Sequence, residues 1–600
     1  MAVKANFLSL PAELRDQIYH LYFCVGGYAY DADSDCLKTA ADNRPIDLAL
    51  LYTCRTVANE AIHLPLLLNS IKFTTLYRRD LNNLAGCFNM VSGLYHHLQA
   101  DFLLQLAHVL TPEMRAELAL EYPNFNSHLY NALRIREFDI EEGERRYDDS
   151  PEDRAYQAWS YSRKYNGNSM AIAAKVCLKN QMEDTFCVSA EAFLRESEFW
   201  EDHIYTNFRP PCNNPGHYIG FSNLPRHVDR DWKDLSRSVW GVERFFSQAL
   251  KLLAAHEPAK FRHQVYKVFP EWDGRHSAQE FLNMRFDHWA IPSRSQVQHA
   301  TGLLALDAMW NVPDMWYGPP DDDGTSGIRC RQKIRFSAAA NAIRFLETRI
   351  PPQHRLNIRT LILHEDSPSV NVPSTHAQGL APFFRENPLL RVERRVDMMR
   401  CMYGAFDNAG DVAGHFLDPD EWPSTFVLTA DKLVPPILQW LTDALAVTRV
   451  GIPAESYTLI LEAGPYRDYF TNFCQQRLQK EIAWSRALKY LDQRDAFNLE
   501  GSNLTIAEPL HMRFMMTCED TDVIESLANE TSPILRSDFN AGIALDVGAI
   551  VNQTRYLSTE EWFCEWYSDK WSWEPLQEQP PDLVDYKVRL ADNYEIQIDQ

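Results

Sequence analysis

The strongest constraint on the fold is a run of alternating helix and strand signals in the second half of the chain. Apolar residues at helical spacing predict helices over 338–349, 377–385, 434–447 and 466–492, while period-two or short apolar runs predict strands over 358–363, 391–398 and 457–462. Parallel strands need a crossover long enough to hold a helix, so this alternation favours an α/β region with parallel pairing. The strands recur too irregularly for a leucine-rich repeat. A compact α/β domain is the plainer expectation, and a degenerate repeat-like sheet that receives a partner is the alternative.

The amino terminus carries a different signal. Phe7-Leu8-Ser9-Leu10-Pro11-Ala12-Glu13-Leu14-Arg15-Asp16-Gln17-Ile18-Tyr19 reads as a helix start. Pro11 suits a first helical position, where its missing N–H would be unpaired in any case, and Glu13 sits against the positive end of the helix dipole. Leu14, Ile18, Leu21 and Tyr22 recur as one apolar stripe, with Arg15, Asp16 and Gln17 expected on the other side. After a polar segment from Cys24 to Arg44, Leu51, Cys54, Ala58 and Ala61 form a second helical stripe closed by Pro65. Ile71-Lys72-Phe73-Thr74-Thr75 then alternates like a strand. Two short helices bury too little apolar area to fold alone, so they need each other and the rest of the chain.

This pair of helices resembles an F-box, in which a Leu-Pro-x-Glu-Leu start and a second helix bearing Cys-Arg, here Cys54-Arg55, dock onto the Skp adaptor of cullin-RING ubiquitin ligases. The common F-box joins its two helices closely; the long insertion places this chain beside a large group of filamentous-fungal F-box-like proteins. A second stretch similar to that group runs from Arg335-Phe336-Ser337-Ala338-Ala339-Ala340 to Arg394-Arg395-Val396-Asp397-Met398, and the two stretches cover about a quarter of the chain. The resemblance implies an adaptor-binding face made by Leu10, Pro11, Leu14 and Ile18, supported by Leu51 and Cys54. It implies that the body holds a protein substrate near the ligase. The competing expectation is a structural or regulatory scaffold in which the same helices pack internally.

Composition narrows the class. The 600 residues are 45% hydrophobic and 12% aromatic, as in a folded, cored protein. Net charge of −23 argues against nucleic acid as a partner, since phosphate contact needs Lys and Arg gathered on one face. No signal peptide and no apolar stretch near 18 residues is read, so no membrane association and a cytoplasmic and/or nuclear site are expected. Twelve cysteines without a Cys-x-x-Cys pair read as reduced, mostly buried thiols.

The fold class expected is mixed α+β and helix-rich: an F-box-like helical amino terminus over 1–77, a helical segment and charged linker over 78–155, a mainly helical middle with irregular loops over 156–330, an α/β region over 331–500, and an acidic, aromatic-rich region over 501–600. A helix is expected over 81–133, burying Leu94, Leu98, Phe102, Leu106 and Leu110, and another over 235–253, burying Val239, Val242, Phe246, Ala249 and Leu253. Loops are expected at 141–154, 207–225 and 319–324. Near the carboxyl end, Trp562, Trp566, Trp571 and Trp573 stand among acids. Core packing is their plain explanation; a partner-binding patch is the sharper one, since Trp and Tyr anchor interfaces out of proportion to their number.

Chemical sites fail on inspection. Asp31-Ala32-Asp33-Ser34-Asp35 with Asp42 approaches a calcium loop, but Cys36 takes the place of its glycine and Lys38 that of its apolar residue. His203, Cys212 and His217 match no zinc spacing. No Gly-x-Ser-x-Gly elbow, His-Glu-x-x-His helix or Walker-type loop is present. His364-Glu365-Asp366 at a strand end is the one place for an acid–base site; otherwise those carboxylates cap the next element or pair with Arg359 or Arg391. The chain therefore reads as a non-enzymatic interaction protein with no cofactor and no metal.

Overall fold

Pro11 directly precedes α1 (Ala12–Phe23), one position earlier than a first helical residue, and Glu13 lies in the first turn. The structure, a computed structural model, describes residues 7–122, 239–304, 327–403, 430–492, 518–557 and 592–598, with Trp310, Asp314, Trp316, Ala413, Gly414, Phe416, Leu417, Glu561 and Trp562 between them. The expected loops at 141–154, 207–225 and 319–324 lie outside the described residues, as do His203, Cys212 and His217.

The polar insertion after α1 is a hairpin. β1 (Tyr28–Asp31) and β2 (Cys36–Thr39) pair antiparallel, and β1 also pairs in parallel with β3 (Ile71–Thr74). Between them, a 3-10 turn at Ala49–Tyr52 leads into α2 (Arg55–Ala61) and α3 (Leu64–Leu68). Two expectations change here. Cys54 is the residue before α2 and not within it, so the buried pair is Val57 and Ala61, and Pro65 opens α3 instead of closing the preceding helix.

The helix expected over 81–133 is interrupted. α4 (Arg79–Gln105) buries Leu98 and Phe102, a turn at Ala107–Val109 follows, and α5 (Pro112–Glu121) starts after Thr111, whose hydroxyl accepts from the Met114 N–H at 3.3 Å. Leu106 and Leu110 are buried as expected; the Leu94 side chain is outside the described set. α6 (Val239–His256) buries Phe246, Ala249 and Leu253, while nothing is described of the Val239 and Val242 side chains. α7 (Pro258–Val268), α8 (Ala278–Asn283) and α9 (Arg294–Leu303) complete this helical layer against α4 and α6, the last two begun by capping boxes at Ser277 and Ser293.

After β4 (Ile328–Gln332), the alternation read from sequence is present with small shifts: α10 (Ala338–Thr348), α11 (Pro352–Arg355), β5 (Thr360–Glu365), a buried 3-10 segment Pro373–Leu380 running into α12 (Ala381–Glu386), β6 (Arg391–Asp397), α13 (Met398–Tyr403), α14 (Ala430–Ala446) and β7 (Tyr457–Glu462). The helix expected over 466–492 is α15 (Arg467–Phe473) and α16 (Gln479–Asp492) joined by a π turn at Cys474–Leu478. α17 (Cys518–Ala528), β8 (Leu535–Ser537), α18 (Val547–Thr554) and β9 (Tyr594–Ile598) follow.

Seven strands form one sheet in the order β2-β1-β3-β5-β6-β7-β8, parallel throughout except for the β1/β2 hairpin, and β4 pairs separately with β9. The fold is mixed α and β and rich in helix. The boundaries expected at 77, 330 and 500 do not divide the sheet, because 1–77, 331–500 and 501–600 each contribute strands to it. One hydrophobic core runs from Tyr28 to Ala541 across all of them.

From β1 to β8 the parallel strands add in chain order. With right-handed crossovers, such an order sends every connection to the same face. Burial agrees: Leu361, Leu363, Val392, Val396, Leu459 and Leu461 are fully buried against α10, α14 and their neighbours, while the alternate residues of every strand are half-exposed or exposed. Parallel sheets are nearly always covered on both faces and read as continuous apolar runs. Among the described residues this one is covered on one face only, which is the geometry of a stacked-repeat sheet reached without a regular repeat length.

Candidate functional site

α1 divides cleanly into two faces. Tyr19 and Phe23 are buried in a small core of their own with Val57, Ala61 and Leu64, against which Leu51 and Cys54 are half-buried. On the opposite side of the helix, Leu14, Ile18 and Leu21 are 45%, 38% and 82% exposed. Their i, i+4, i+7 spacing puts them on one face. Pro11 is exposed and Leu10 half-buried at the start of this stripe, with exposed Leu8 just before it and exposed Val25 just after the helix end.

The inner face is fixed by charge as well as by apolar packing. Arg15, expected on the outer side, turns inward: its guanidinium donates to both Glu60 carboxylate oxygens of α2 at 2.6 and 3.0 Å and to the Leu10 carbonyl at 2.6 Å. The Tyr19 hydroxyl donates to the same Glu60 at 2.8 Å. Hydrogen bonds from Arg15 and then Tyr19 hold the Glu60 carboxyl below its ordinary range, and burial followed by Glu60 pushes the Tyr19 phenol up. Tyr22 belongs to this half-buried side and not to the outer stripe.

Asn69, which sequence reading passed over, ties the helices to the sheet. Its side-chain oxygen accepts from the Val25 and Gly27 N–H groups at 3.0 and 3.2 Å, and its amide donates to the Phe23 and Pro65 carbonyls at 2.6 and 2.9 Å. Four backbone groups at the ends of α1 and α3 are thus paired by one buried side chain. Gly27, at φ +115°, lies close against Ser70, so the chain turns into β1 with no room for a side chain. Two glycines before an alternating stretch, and an Asn-Ser before the next one, are the signals that point here in the sequence.

The insertion is also pinned to the body. Asp35 pairs with Arg344 of α10 at 2.7 Å and with Arg349 just after that helix, and accepts from the Tyr30 hydroxyl at 2.6 Å. Asp31 pairs with Lys38 at 2.8 Å. Asp42 pairs with Arg44 at 3.2 Å, so three of the four carboxylates of the calcium-like segment, Asp31, Asp35 and Asp42, are committed to cations of the chain.

Around His364 the three expected acid–base residues diverge. His364 faces the open side of the sheet, 3.6 Å from Glu462. Glu365 turns to the covered side, accepts from the Ala338 and Ala339 N–H groups at the start of α10, and pairs with Arg394 at 2.7 Å, both side chains being at most 1% exposed. Asp366 accepts from Thr75 N–H and Oγ1 at 3.2 and 2.5 Å. The expected cap on the next element is not what Glu365 makes: it caps α10, which precedes β5, and its cation is Arg394 and not Arg359 or Arg391.

Beneath them lies a pair with the look of a nucleophile and its base: Ser337 Oγ is 2.6 Å from His376 Nδ1. Both side chains are fully buried. Ser337 Oγ accepts from the Ala340 N–H as the cap of α10, and His376 Nε2 lies 2.5 Å from the Asn371 carbonyl. Burial, then Arg394, lowers the His376 pKa well below its ordinary value, so the imidazole is neutral. This cluster pins the 3-10 segment under α10.

Trp562 is fully buried, with its ring on Trp484 and its indole N–H donating to Thr554 at 3.0 Å. It is a core residue and not a surface anchor; Trp566, Trp571 and Trp573 lie outside the described residues. No helix among the described residues is long and apolar enough to cross a membrane. The chain matches no protein-family model, no curated protein and no solved structure.

Proposed function

We propose that this chain is an F-box-like interaction protein whose α1 docks on a Skp-type adaptor of a cullin-RING ubiquitin ligase, with the α/β body holding a protein substrate. The observation that carries the reading is the exposed Leu14–Ile18–Leu21 stripe on a helix already packed by its opposite face. Aligned on one face of a helix whose opposite side is already packed, these three residues form a contiguous apolar stripe, the kind of exposed patch that marks interaction surfaces. They lie where the resemblance calls for a docking face, beside Leu10 and Pro11, while Leu51 and Cys54 support from within.

The insertion, which departs from the common F-box, fits the same function. It leaves the packing of α1 on α2 and α3 in place and adds a strand that joins the helical module to the sheet. A substrate receptor must hold its cargo at a fixed position relative to the adaptor, and strand pairing, Asn69 and the Asp35 ion pairs supply that rigidity. The role is one of binding, with no chemical step assigned to the chain itself.

The test is capture of the purified full chain by the Skp adaptor, wild type beside a Leu14→Asp, Ile18→Asp variant. Two charges in a desolvated contact should abolish capture. Capture of neither form would return the stripe to the scaffold reading, in which another surface binds partners.

A further inference from the structure

We propose that β9 pairs edge to edge with β9 of a second copy of this chain, antiparallel about a two-fold axis through Ile596, so that two β4/β9 ribbons join into one four-stranded sheet. The inference rests on that ribbon alone and stands apart from adaptor docking. The hydrogen-bond pattern shows which side of β9 is open. β4 and β9 pair antiparallel, with Ile328 opposite Ile598 and Gln332 opposite Tyr594. One step further in the same register, the Lys333 N–H donates to the Asn593 carbonyl at 2.8 Å. The pairs that exchange ladder bonds are therefore Lys333 with Asn593, Arg331 with Glu595 and Arg329 with Gln597. The backbone groups of Ile596 and Ile598 point the other way, and among the described residues no further strand lies beyond them. The two side chains are 36% and 68% exposed.

The two edges of the seven-stranded sheet are treated differently. At β2, Pro45 forms a bridge with Lys38, and the Thr39 N–H donates to the Arg44 carbonyl at 2.9 Å. At β8, the Leu535 N–H, which faces away from β7, is taken by Ser532 Oγ at 3.2 Å. β9 carries none of the devices that blunt an edge: its five residues include no proline and no lysine, and its pairing with β4 has no bulge. An unpaired edge bearing two exposed isoleucines is a template for another strand.

The strand that fits is its own copy. Ile596 is the middle residue of β9 (Tyr594–Ile598), so a two-fold axis through it pairs the whole strand, and any other centre pairs less of it. Ile596 then faces Ile596 of the second copy, and their outward N–H and C=O groups exchange two hydrogen bonds. Tyr594 faces Ile598, an aromatic and β-branched pair of the kind that stabilises sheets. Glu595, the one charged residue of the strand, faces Gln597 and not itself, whereas a centre on Glu595 would set two carboxylates directly opposite each other. Glu595 is also held in place by Arg331 and the Tyr77 hydroxyl, so its charge is matched within each copy. One pair of five-residue strands is a small contact, which makes the association weak and concentration-dependent.

The experiment is sedimentation velocity of the purified full chain across the micromolar range, with each variant checked for folding by circular dichroism. The expected result is a sedimentation coefficient that rises with concentration from monomer to dimer. Ile596→Lys sets two like charges against each other on the axis, and Ile596→Pro removes the N–H donated there without breaking a bond to β4; each should raise the dissociation constant about tenfold or more. Ile598→Lys changes the more exposed side chain but faces Tyr594, so it should weaken the dimer less than Ile596→Lys does. The Leu14→Asp, Ile18→Asp variant should dimerise as the wild type does, even if adaptor capture fails. A monomer at every concentration, a dimer indifferent to the Ile596 substitutions, an equal or greater loss with Ile598→Lys, or loss on changing Leu14 and Ile18 would each overturn the proposal.

Discussion

Single residues in the covered layer leave little freedom. Gly379 lies in the buried 3-10 segment, where an added Cβ would stand 2.7 Å from Ile343 Cδ1 and closer still to the Trp289 ring. Gly379→Ala should therefore cost about 1–3 kcal/mol or more by overpacking, read as a lower denaturation midpoint, and wild-type stability would contradict this contact. The Glu365–Arg394 pair makes a second prediction. Glu365→Gln leaves a buried guanidinium without its counter-charge, a loss of about 3–5 kcal/mol, to be measured by urea unfolding. Arg394 also lies over the Trp440 ring, so part of its environment survives the change. At this scale the sequence showed which residues are amphipathic but not which way they turn. Arg15 looked like an outer residue because its inward orientation depends on Glu60, 45 positions away.

Among elements, those driven by local pattern were legible: β7 begins and ends where its apolar alternation does, and α10 follows its helical stripe to within a residue. Elements that depend on distant partners were not. The β1/β2 hairpin is polar, and it forms a sheet edge only because β3 supplies a parallel neighbour and α10 and its end supply Arg344 and Arg349. Its attachment is pH-dependent with a definite sign. Burial works to raise the Asp35 carboxyl, but hydrogen bonds from Arg344, Tyr30 and Arg349 prevail and hold it well below the usual carboxylate range. The stabilisation is thus complete above the unfolded value of about 4 and is lost as pH falls below it. Asp35→Asn should destabilise by about 1–3 kcal/mol at pH 7, with the difference from wild type shrinking towards pH 3 in parallel thermal melts. A penalty unchanged by pH would place the effect elsewhere than in the ion pairs.

Across the whole molecule, the chain presents an apolar helix face at one end and an open sheet face joined to it by β1 and β3. Neither follows from composition. The alternation of the second half implied parallel strands, but their order, and hence the uncovered face, depends on how five crossovers stack. The resemblance marked α1 as a docking element, and its exposed stripe supports that reading; the insertion that sets it apart from the common F-box is the segment that joins it to the sheet. Adaptor capture tests this central claim most directly: purified full chain is presented to the Skp adaptor as wild type and as Leu14→Asp, Ile18→Asp. Because both residues are exposed, each substitution should cost no more than about 0.5 kcal/mol, so the variant should unfold within about 1 kcal/mol of wild type. Capture of the wild type and not of this equally stable variant is the predicted result, whereas equal capture, or none, would contradict it.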